Sequence, residues 1–393
     1  MHNCDHNATS PLRPECLPAM THALAIGGNP SSIHGAGRAA RDVVENARAE
    51  IAALAGAPSK DNGHAEIIFT SGSTEANNLA LVGAVEGALL AQDDKASRIT
   101  RLFVSAIEHS SVLRVAEKLA ERIAGLKLSI IPVTADGVVD TEALRVMLRE
   151  GKGRTLVAVM AANNETGAIQ PVAEVSRRCR EAGALLLVDA VPALGKIDLD
   201  FSLCDYMTLS GHKIGGPQGI GALVVATGAP LVAQTLGGGQ QKGLRAGTEN
   251  LSGIAGFGAA ARNLRDAQGE HARIRHVRDR FERELKHAIS DAVIFSLNVP
   301  RLAGTSNIAL PGIAADTALI ALDLDGVLAS SGSSCSSGKI TPSHVLAAMG
   351  VDEKLAGSAL RFSFGWSSTA EDADAAVASL VKLWQRARAP RAA

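Results

Sequence analysis

The chain has 393 residues, of which 46% are hydrophobic and 3% aromatic, and its formal net charge at pH 7 is -1. A chain of this length favours two domains, and the balanced charge argues against a surface that binds nucleic acid or a membrane. The scarcity of aromatic side chains argues against a groove that stacks bases. We therefore expect a globular protein with no nucleic-acid partner.

The N-terminal sequence "MHNCDHNATSP" has neither a basic region nor an apolar run, and no apolar stretch is long enough to span a bilayer. We expect neither a signal peptide nor a membrane partner. The five cysteines are odd in number and show no CxxC spacing, which argues against a disulfide framework and a structural zinc site. This cysteine usage favours a reducing cytoplasm, and we expect no resident metal.

Seven short apolar runs alternate with helical patterns between residues 65 and 226. These runs are "EIIFTSG" (66–72), "RLFVSAIEH" (101–109), "LKLSIIPV" (126–133), "TLVAVMAAN" (155–163), "ALLLVDAV" (184–191), "YMTLSGHK" (206–213) and "GALVVA" (221–226). Nearly continuous Val, Ile and Leu runs separated by helices predict an α/β fold with a mostly parallel, seven-stranded sheet covered on both faces. Polar residues follow these runs, at the edge where open α/β sheets bind ligands.

The pattern changes near residue 255. Residues 256–289 form one long, charged, helix-forming segment without proline, and short elements then lead to a final helix from about Glu371 to Arg388. This order is typical of a smaller α+β domain. We expect a large domain over residues 16–254 and a small domain formed by residues 1–15 and 255–393.

A possible reactive site begins with Asp189, which ends an apolar run, and Lys213, which stands in a similar position 24 residues later. Each residue alone is most simply a solvated charge at the end of a strand. Together they supply a carboxylate that can hold a pyridine nitrogen protonated and an amine that can form an imine, which pyridoxal 5′-phosphate requires. Ser210 and His212 lie beside this lysine.

Two further stretches fit the same cofactor. Gly72, Ser73 and Thr74 form a turn before a predicted helix, whose N-terminus suits a phosphate. His109 follows another strand, where it could stack on a ring and exchange protons near neutral pH. A structural histidine is the alternative reading of that position.

Nine motifs occur together in an order and spacing that resemble the cysteine desulfurases of the nitrogen-fixation and iron–sulfur-cluster type, within the fold-type I pyridoxal-phosphate enzymes. They are "GNPSSIH", "FTSGSTEANN", "EHSSV", "NNETG", "VDA", "SGHK", "GGGQQKGLRAGTEN", "SSGSSCSSG" and "LRFSFG". Each motif is weak alone, but nine in register are specific. The resemblance extends from about Asp5 to the last helix.

The resemblance implies a role for each candidate residue. Lys213 carries the cofactor and later moves the substrate Cα proton, Asp189 binds the pyridinium nitrogen, and His109 lies over the ring. The phosphate is held by Thr74, Ser210 and His212, joined by Thr248 from the other subunit of a homodimer, and Ser73 of the turn described above is also expected to bind the cofactor. Asn164 and Arg361 orient the carboxylate of the substrate, L-cysteine, and Asn164 also contacts the cofactor.

The resemblance also explains the cysteine in "SSGSSCSSG". Cys335 attacks the sulfur of cysteine bound to the cofactor and becomes a persulfide, while alanine leaves. The persulfide then passes to an iron–sulfur scaffold protein or another acceptor, and Cys335 transiently contacts an iron–sulfur cluster on that partner. The small glycine and serine residues suit a segment that moves between the site and the acceptor.

The sequence departs from the family at Pro192. The family usually has a glutamine there, which helps to bind the phenolic oxygen of the cofactor, whereas proline offers no side-chain donor. One cofactor hydrogen bond is therefore in doubt.

Three alternatives to a cysteine desulfurase remain open at this point. Two share the fold, a selenocysteine lyase and another class-V aminotransferase, although an aminotransferase would not need Cys335. A nucleotide-binding or scaffold protein without catalysis would belong to a different class, but no GxxxxGK[ST] motif is present. The housekeeping type of this family carries a longer extension after its last helix than this sequence does. The resemblance therefore favours the nitrogen-fixation type over general cluster assembly, without deciding between them.

Overall fold

The computed structural model describes residues 1–57, 65–90, 98–267, 269–332 and 343–388. The strands are β1 (His2–Asn3), β2 (Ala65–Thr70), β3 (Ile99–Ser105), β4 (Lys127–Ile131), β5 (Arg154–Met160), β6 (Leu185–Asp189), β7 (Tyr206–Ser210), β8 (Gly221–Ala226), β9 (Val293–Ile294), β10 (Thr305–Ala309), β11 (Val327–Leu328) and β12 (Ala359–Ser363). The helices are α1 (Cys16–Ala25), α2 (Gly35–Leu54), α3 (Ser73–Leu90), α4 (Ser110–Arg122), α5 (Thr141–Arg149), α6 (Val172–Glu181), α7 (Leu251–Asp266), α8 (Glu270–Ala288), α9 (Ala315–Leu324), α10 (His344–Ala348), α11 (Glu353–Ala356) and α12 (Ala370–Arg388).

The central sheet has seven strands in the order β2-β8-β7-β6-β5-β3-β4. The pairs β3–β4, β3–β5, β5–β6 and β6–β7 are parallel, while β8 runs antiparallel to both β2 and β7. The predicted α/β fold with a mostly parallel seven-stranded sheet is therefore confirmed. The register sets Asp189 beside both Met160 and Thr208, so the carboxyl ends of β5, β6 and β7 lie at one edge.

The inner strands β5, β6 and β7 are almost entirely buried and mostly apolar, because both faces of the sheet are covered there. The edge strand β4 is partly exposed and begins with Lys127. Val157 and Val159 of β5 point into a core shared with α2, α5, α6 and α7. The alternate residues Leu156 and Ala158 point into a second core shared with α3 and α4. Since successive side chains of a strand face opposite sides, both sets must be apolar.

A second body contains a three-stranded antiparallel sheet, with β10 between β9 and β12. Its core is packed by α8, α9 and α12, and the rings of Phe281 and Phe362 lie 4.6 Å apart between centroids. The N-terminal residues belong here, because β1 pairs with β11 and the Cys4 side chain lies in this core.

The expected continuous helix over residues 256–289 is wrong, since α7 ends at Asp266 and α8 begins at Glu270. Gly269 has a φ of 82°, a conformation in which a right-handed helix does not continue. The apolar side chains of α7 pack in the core of the large sheet, whereas those of α8 pack in the second body. The division after residue 254 stays a prediction, and this packing favours a boundary near Gly269.

Candidate active site

A cleft of about 370 Å³ opens at the carboxyl edge of the central sheet. Its walls include eight residues that the sequence predicts for the site: Ser73, Thr74, His109, Asn164, Asp189, His212, Lys213 and Arg361. Ser210 lines an adjoining cavity together with Ser73, Thr74 and His212. These residues come from distant parts of the chain, and the packing of the two sheets and their connecting segments brings them together.

Two predicted residues are not part of this cluster. Thr248 is exposed and lines neither of these two cavities of the subunit. Cys335 lies outside the described residues, in the stretch 333–342, and its role stays a prediction.

Lys213 lies on a short 3₁₀ helix, Gly211–Ile214, that directly follows β7. Its Nζ donates to the backbone carbonyl oxygens of Asn7 and Ala8, at 2.5 and 2.9 Å. The N-terminal segment therefore holds this amine in the cleft that also contains Asp189.

Asp189 is the last residue of β6, and its side chain is buried. One carboxylate oxygen accepts from Asn77 Nδ2 at 2.9 Å, and the other accepts from the backbone N–H of Val191 at 3.0 Å. Asn77 is itself fixed, since its Oδ1 accepts from the Thr208 hydroxyl at 2.8 Å. The carboxylate is thus oriented before any ligand binds.

The role of Asn77 was missed by the sequence reasoning, although the residue lies within a quoted motif. It is fully buried on α3, and a buried amide must find partners. Its place on the buried face of a helix that begins at the candidate phosphate site was the available signal.

Two histidines lie in the cleft in different settings. His109 precedes α4, and its Nδ1 accepts from the backbone N–H of Ser111 at 3.1 Å. In the neutral ring this leaves the proton on Nε2. Burial and the nearby Lys213 charge lower the pKa of His212 to about 4, so this histidine is neutral at physiological pH.

The adjoining cavity suits a phosphate group. Ser73 and Thr74 form the first turn of α3, where backbone N–H groups lack helical partners and the helix dipole favours an anion. The Ser210 hydroxyl is buried and has no hydrogen-bond partner among the described residues. A buried hydroxyl without a partner is costly, and a phosphate oxygen would satisfy it. The residues present therefore fit the phosphate of the predicted cofactor.

Arg361 lies on β12 with its guanidinium buried. Nη2 pairs with the Asp5 carboxylate at 2.8 Å, and Nη1 donates to the backbone oxygen of Asn164 at 3.3 Å. Its Nε has no partner within the described part of the chain. Asp5 thus occupies one arm of the guanidinium that was predicted to bind a substrate carboxylate.

Lys196 is a second lysine of the cleft that the sequence reasoning did not assign to the site. Its Nζ donates to the side-chain oxygen of Asn7 at 3.1 Å. Burial, with the charges of Lys213 and Arg361, lowers the pKa of Lys196 to about 7. The residue follows Pro192 by four positions, and both line the cleft.

Glu108 lies next to the site and was also missed. Its side chain is fully buried, and one carboxyl oxygen accepts from the backbone N–H of Met160 at 2.6 Å. Burial, followed by the negative charge of Asp189, raises the pKa of Glu108 well above its usual value.

An amine, a fixed carboxylate and a phosphate cradle meet at the carboxyl edge of a mostly parallel sheet. Pyridoxal-phosphate enzymes require this combination, because the cofactor needs an imine-forming lysine, a partner for its ring nitrogen and an anion site. No group of three or more His, Cys, Asp or Glu side chains in the described ranges could hold a metal ion. Nor is any helix of those ranges long and apolar enough to cross a membrane.

Comparisons with known proteins agree with this class. The family model "Aminotransferase class-V" matches residues 2–376. An IscS-like cysteine desulfurase of Mycobacterium tuberculosis is 39% identical over 98% of this chain and 96% of that protein. A cysteine desulfurase of Trichormus azollae is 39% identical over 98% of this chain and 93% of its own length. The chain therefore belongs to the class-V aminotransferase family, and within it to the cysteine desulfurases, whose cofactor is pyridoxal 5′-phosphate.

Solved structures agree in fold. A NifS-like protein from Rickettsia africae has a TM-score of 0.87 and 32% identity, and the match covers 98% of this chain and 99% of that one. The structure "SspA in complex with cysteine" has a TM-score of 0.79 and 28% identity, covering 94% of this chain and 100% of that one.

Proposed function

We propose that the protein is a pyridoxal-phosphate-dependent cysteine desulfurase, which releases alanine from L-cysteine and retains the sulfur as a persulfide on Cys335. The convergence of Lys213 and Asp189 in one cleft, with the Ser210 phosphate cradle in the cavity that adjoins it, carries this proposal. The names of the relatives support the choice of cysteine as the substrate.

Bound pyridoxal phosphate would supply an electron sink for the carbon atoms of the amino acid. Lys213 would bind the cofactor covalently and move a proton at the substrate Cα, and Asp189 would keep the ring nitrogen protonated. His109, which lines the same cleft, would exchange a proton through Nε2.

The phosphate would be held by the start of α3, with Ser73 and Thr74, and by the side chains of Ser210 and His212. His212 would accept or donate as a neutral ring, because its pKa is about 4. Asn164 and Arg361 would orient the substrate carboxylate, with the Arg361 Nε free to donate beside the arm that Asp5 holds.

The sulfur transfer needs a thiolate, which we assign to Cys335. Its sulfur attacks the sulfur of the bound cysteine, an S–S bond forms, and the substrate C–S bond breaks. The electron pair of that bond remains with the carbon, which a proton then converts to the methyl group of alanine. No external oxidant is needed.

The active protein would be a homodimer in which Thr248 contacts the phosphate of the other subunit. The exposure of Thr248 and its absence from the two cavities of its own subunit support this arrangement. The persulfide would pass to an iron–sulfur scaffold protein or a similar acceptor in the cytoplasm, serving nitrogenase or general cluster assembly. Cys335 would contact a cluster on that partner only during transfer.

The test replaces Cys335 by serine. Cys335→Ser should keep the visible absorbance of the cofactor and its response to cysteine, but lose alanine release and the persulfide, because a hydroxyl is a far weaker nucleophile toward sulfur. Ser336→Ala, a neighbouring change that keeps the thiol, is the control. Alanine release is measured with dithiothreitol present, and the persulfide is detected by mass spectrometry. More than about a hundredth of wild-type turnover in Cys335→Ser would contradict the proposal.

A further inference from the structure

Glu165 lies in the turn that follows β5. Asn163 shapes this turn, because its Oδ1 accepts from the backbone N–H groups of Glu165 and Thr166, both at 2.9 Å. The Glu165 side chain is only 3% exposed, although a carboxyl group is costly to bury. Burial, the largest influence, raises its pKa, while Ser343 and the nearby His344, Arg361 and His109 act in the opposite direction.

The two ends of the segment 333–342 meet this one carboxyl group. At the far end, the Ser343 hydroxyl donates to Glu165 Oε2 at 2.5 Å. At the near end, a Cβ added to Gly332 would lie 2.1 Å from the same oxygen and 2.8 Å from Cδ. The backbone of Gly332 therefore packs against the carboxyl group so closely that no side chain fits there without displacing it.

The flanking residues are attached to the cleft itself. Ser330 exchanges backbone hydrogen bonds with Arg361, and its hydroxyl donates to Asp5 at 2.7 Å. On the other side, His344 Nε2 lies 2.9 Å from the backbone oxygen of Glu108. The residues before the segment 333–342 therefore lie beside Arg361, the candidate partner of the substrate carboxylate. The residues after it lie beside Glu108, the neighbour of His109 in the sequence.

We propose that Glu165 is a positioning residue for Cys335, because its carboxyl group binds Ser343 and packs against Gly332, the described residues on either side of the segment 333–342. Fixing two ends at one point restricts the volume that the intervening residues can sample. This restriction raises the effective concentration of the thiol at the substrate sulfur. The inference rests on the proposed function, in which Cys335 receives the sulfur.

The first experiment compares Glu165→Ala and Ser343→Ala in the enzyme loaded with cofactor. Both should lower kcat for alanine release about tenfold, because a misplaced nucleophile reacts slowly, while KM for cysteine stays within about twofold. Glu165→Gln keeps an oxygen that can accept from Ser343 and should lose less. An unchanged kcat, or a raised KM with normal kcat, would overturn the proposal. If Glu165→Ala does not fold, Ser343→Ala carries the test.

Ser379→Ala is the control for the loss of a buried serine–carboxylate contact, while Ser343 in addition caps α10 by accepting from the backbone N–H of Leu346. Ser343 and Ser379 are each 5% exposed, and the Ser379 hydroxyl also donates to a carboxylate, that of Asp325 at 2.9 Å. Ser379 lies on α12 and lines none of the cavities at the site. It should therefore keep wild-type kcat, and an equal loss in both serine variants would mean that general destabilisation explains the effect.

A double substitution tests the contact with Gly332. Gly332→Ala alone should lower kcat, because its methyl group displaces the Glu165 carboxyl. In a Glu165→Ala background the same change should cost little more, since the atoms that it strikes are gone. Fully additive losses would show that the two residues do not act through one contact.

Alkylation supplies a readout that does not require desulfuration. Iodoacetamide is reacted with the substrate-free holoenzyme, and mass spectrometry follows the peptide that contains Cys335, with the four buried cysteines as internal references. The alkylation rate of Cys335 should change at least about threefold in Glu165→Ala and Ser343→Ala, but not in Ser379→Ala. Unchanged rates would overturn the proposal. Changed rates in an enzyme that makes no alanine would instead refute the proposed function alone.

Discussion

Asn7 contacts two lysines at once, Lys213 through its backbone oxygen at 2.5 Å and Lys196 through its side-chain oxygen at 3.1 Å. Because the pKa of Lys196 is about 7, this side chain is a neutral amine in a substantial fraction of the molecules near physiological pH. In that form it could compete with Lys213 for the aldehyde of the cofactor. Both lysines line the cleft with Asp189, but Lys213 directly follows β7, the neighbour of the strand that ends at Asp189, and this favours Lys213 as the cofactor lysine.

We predict that borohydride reduction of the holoenzyme places the pyridoxyl group on Lys213. Lys213→Ala should abolish turnover, whereas Lys196→Ala should still be labelled at Lys213. Peptide mapping by mass spectrometry identifies the labelled residue. The exposed Lys242, which pairs with Glu66, serves as an internal control for nonspecific labelling. Recovery of the label on Lys196 in the wild-type enzyme would reverse the assignment.

The buried Glu108 carboxyl group leads to a separate prediction about how the unfolding free energy depends on pH. Because burial raises its pKa in the folded protein, its contribution to stability is complete below the pKa of the unfolded state and is lost as the pH rises through the folded-state pKa. Glu108→Gln removes this loss, so the variant should gain at least about 1 kcal/mol of unfolding free energy relative to wild type between pH 4 and pH 8. Urea denaturation at both pH values measures the difference. A constant difference would show that Glu108 titrates normally.

At the scale of elements, the start of α3 and the end of β7 together form the candidate anion site. The Ser210 hydroxyl at the end of β7 is buried without a partner in the described structure, and it lines the same cavity as the first turn of α3. Ser306 on β10 is likewise buried with a hydroxyl that lacks a partner in those ranges, but it does not line this cavity.

We predict that Ser210→Ala weakens pyridoxal-phosphate binding about tenfold, since a hydrogen bond to a charged group contributes about 1.5–3 kcal/mol. The unfolding free energy of the cofactor-free protein should not fall, because the hydroxyl has no partner to lose. Ser306→Ala should leave cofactor affinity unchanged. Fluorescence or absorbance titration of the cofactor-free protein gives the dissociation constants, and equal affinities for Ser210→Ala and wild type would contradict this site.

At the scale of the whole molecule, the role of Thr248 decides whether the site is complete within one subunit or is shared by two subunits. We predict that two variants each abolish stable covalent cofactor binding. Thr248→Asp places a negative charge beside the phosphate, and Lys213→Ala removes the amine that binds the cofactor. After unfolding and refolding together in equal amounts, the mixture should regain about a quarter of the wild-type sites. In a mixed dimer, one site combines the intact Lys213 of one subunit with the intact Thr248 of the other.

Borohydride labelling counts the restored sites, and refolding of each variant alone is the control. No recovery in the mixture, although both variants refold as dimers, would mean that Thr248 acts within its own subunit. Normal labelling of Thr248→Asp alone would mean that Thr248 has no role at the site.

Local sequence determined much of the fold and the main chemistry of the site. The apolar runs predicted the seven strands, because the strands of a sheet that is buried on both faces carry apolar side chains toward each face. Asp189 and Lys213 could be assigned to one site since parallel strands bring their carboxyl ends to the same edge. The break before α8 was not foreseen, because a single glycine in a helical pattern costs only about 1 kcal/mol and does not by itself end a helix.

Only the tertiary structure revealed the contacts that orient these groups. Asn77 holds Asp189 across 112 residues, Ser343 reaches Glu165 across 178, and Arg361 pairs with Asp5 across 356. The periodicity of a sequence records which side of its own element a residue faces, and it does not specify the distant partner that packs there. The partners of buried polar groups therefore had to come from the packed structure, in which each such group must be satisfied.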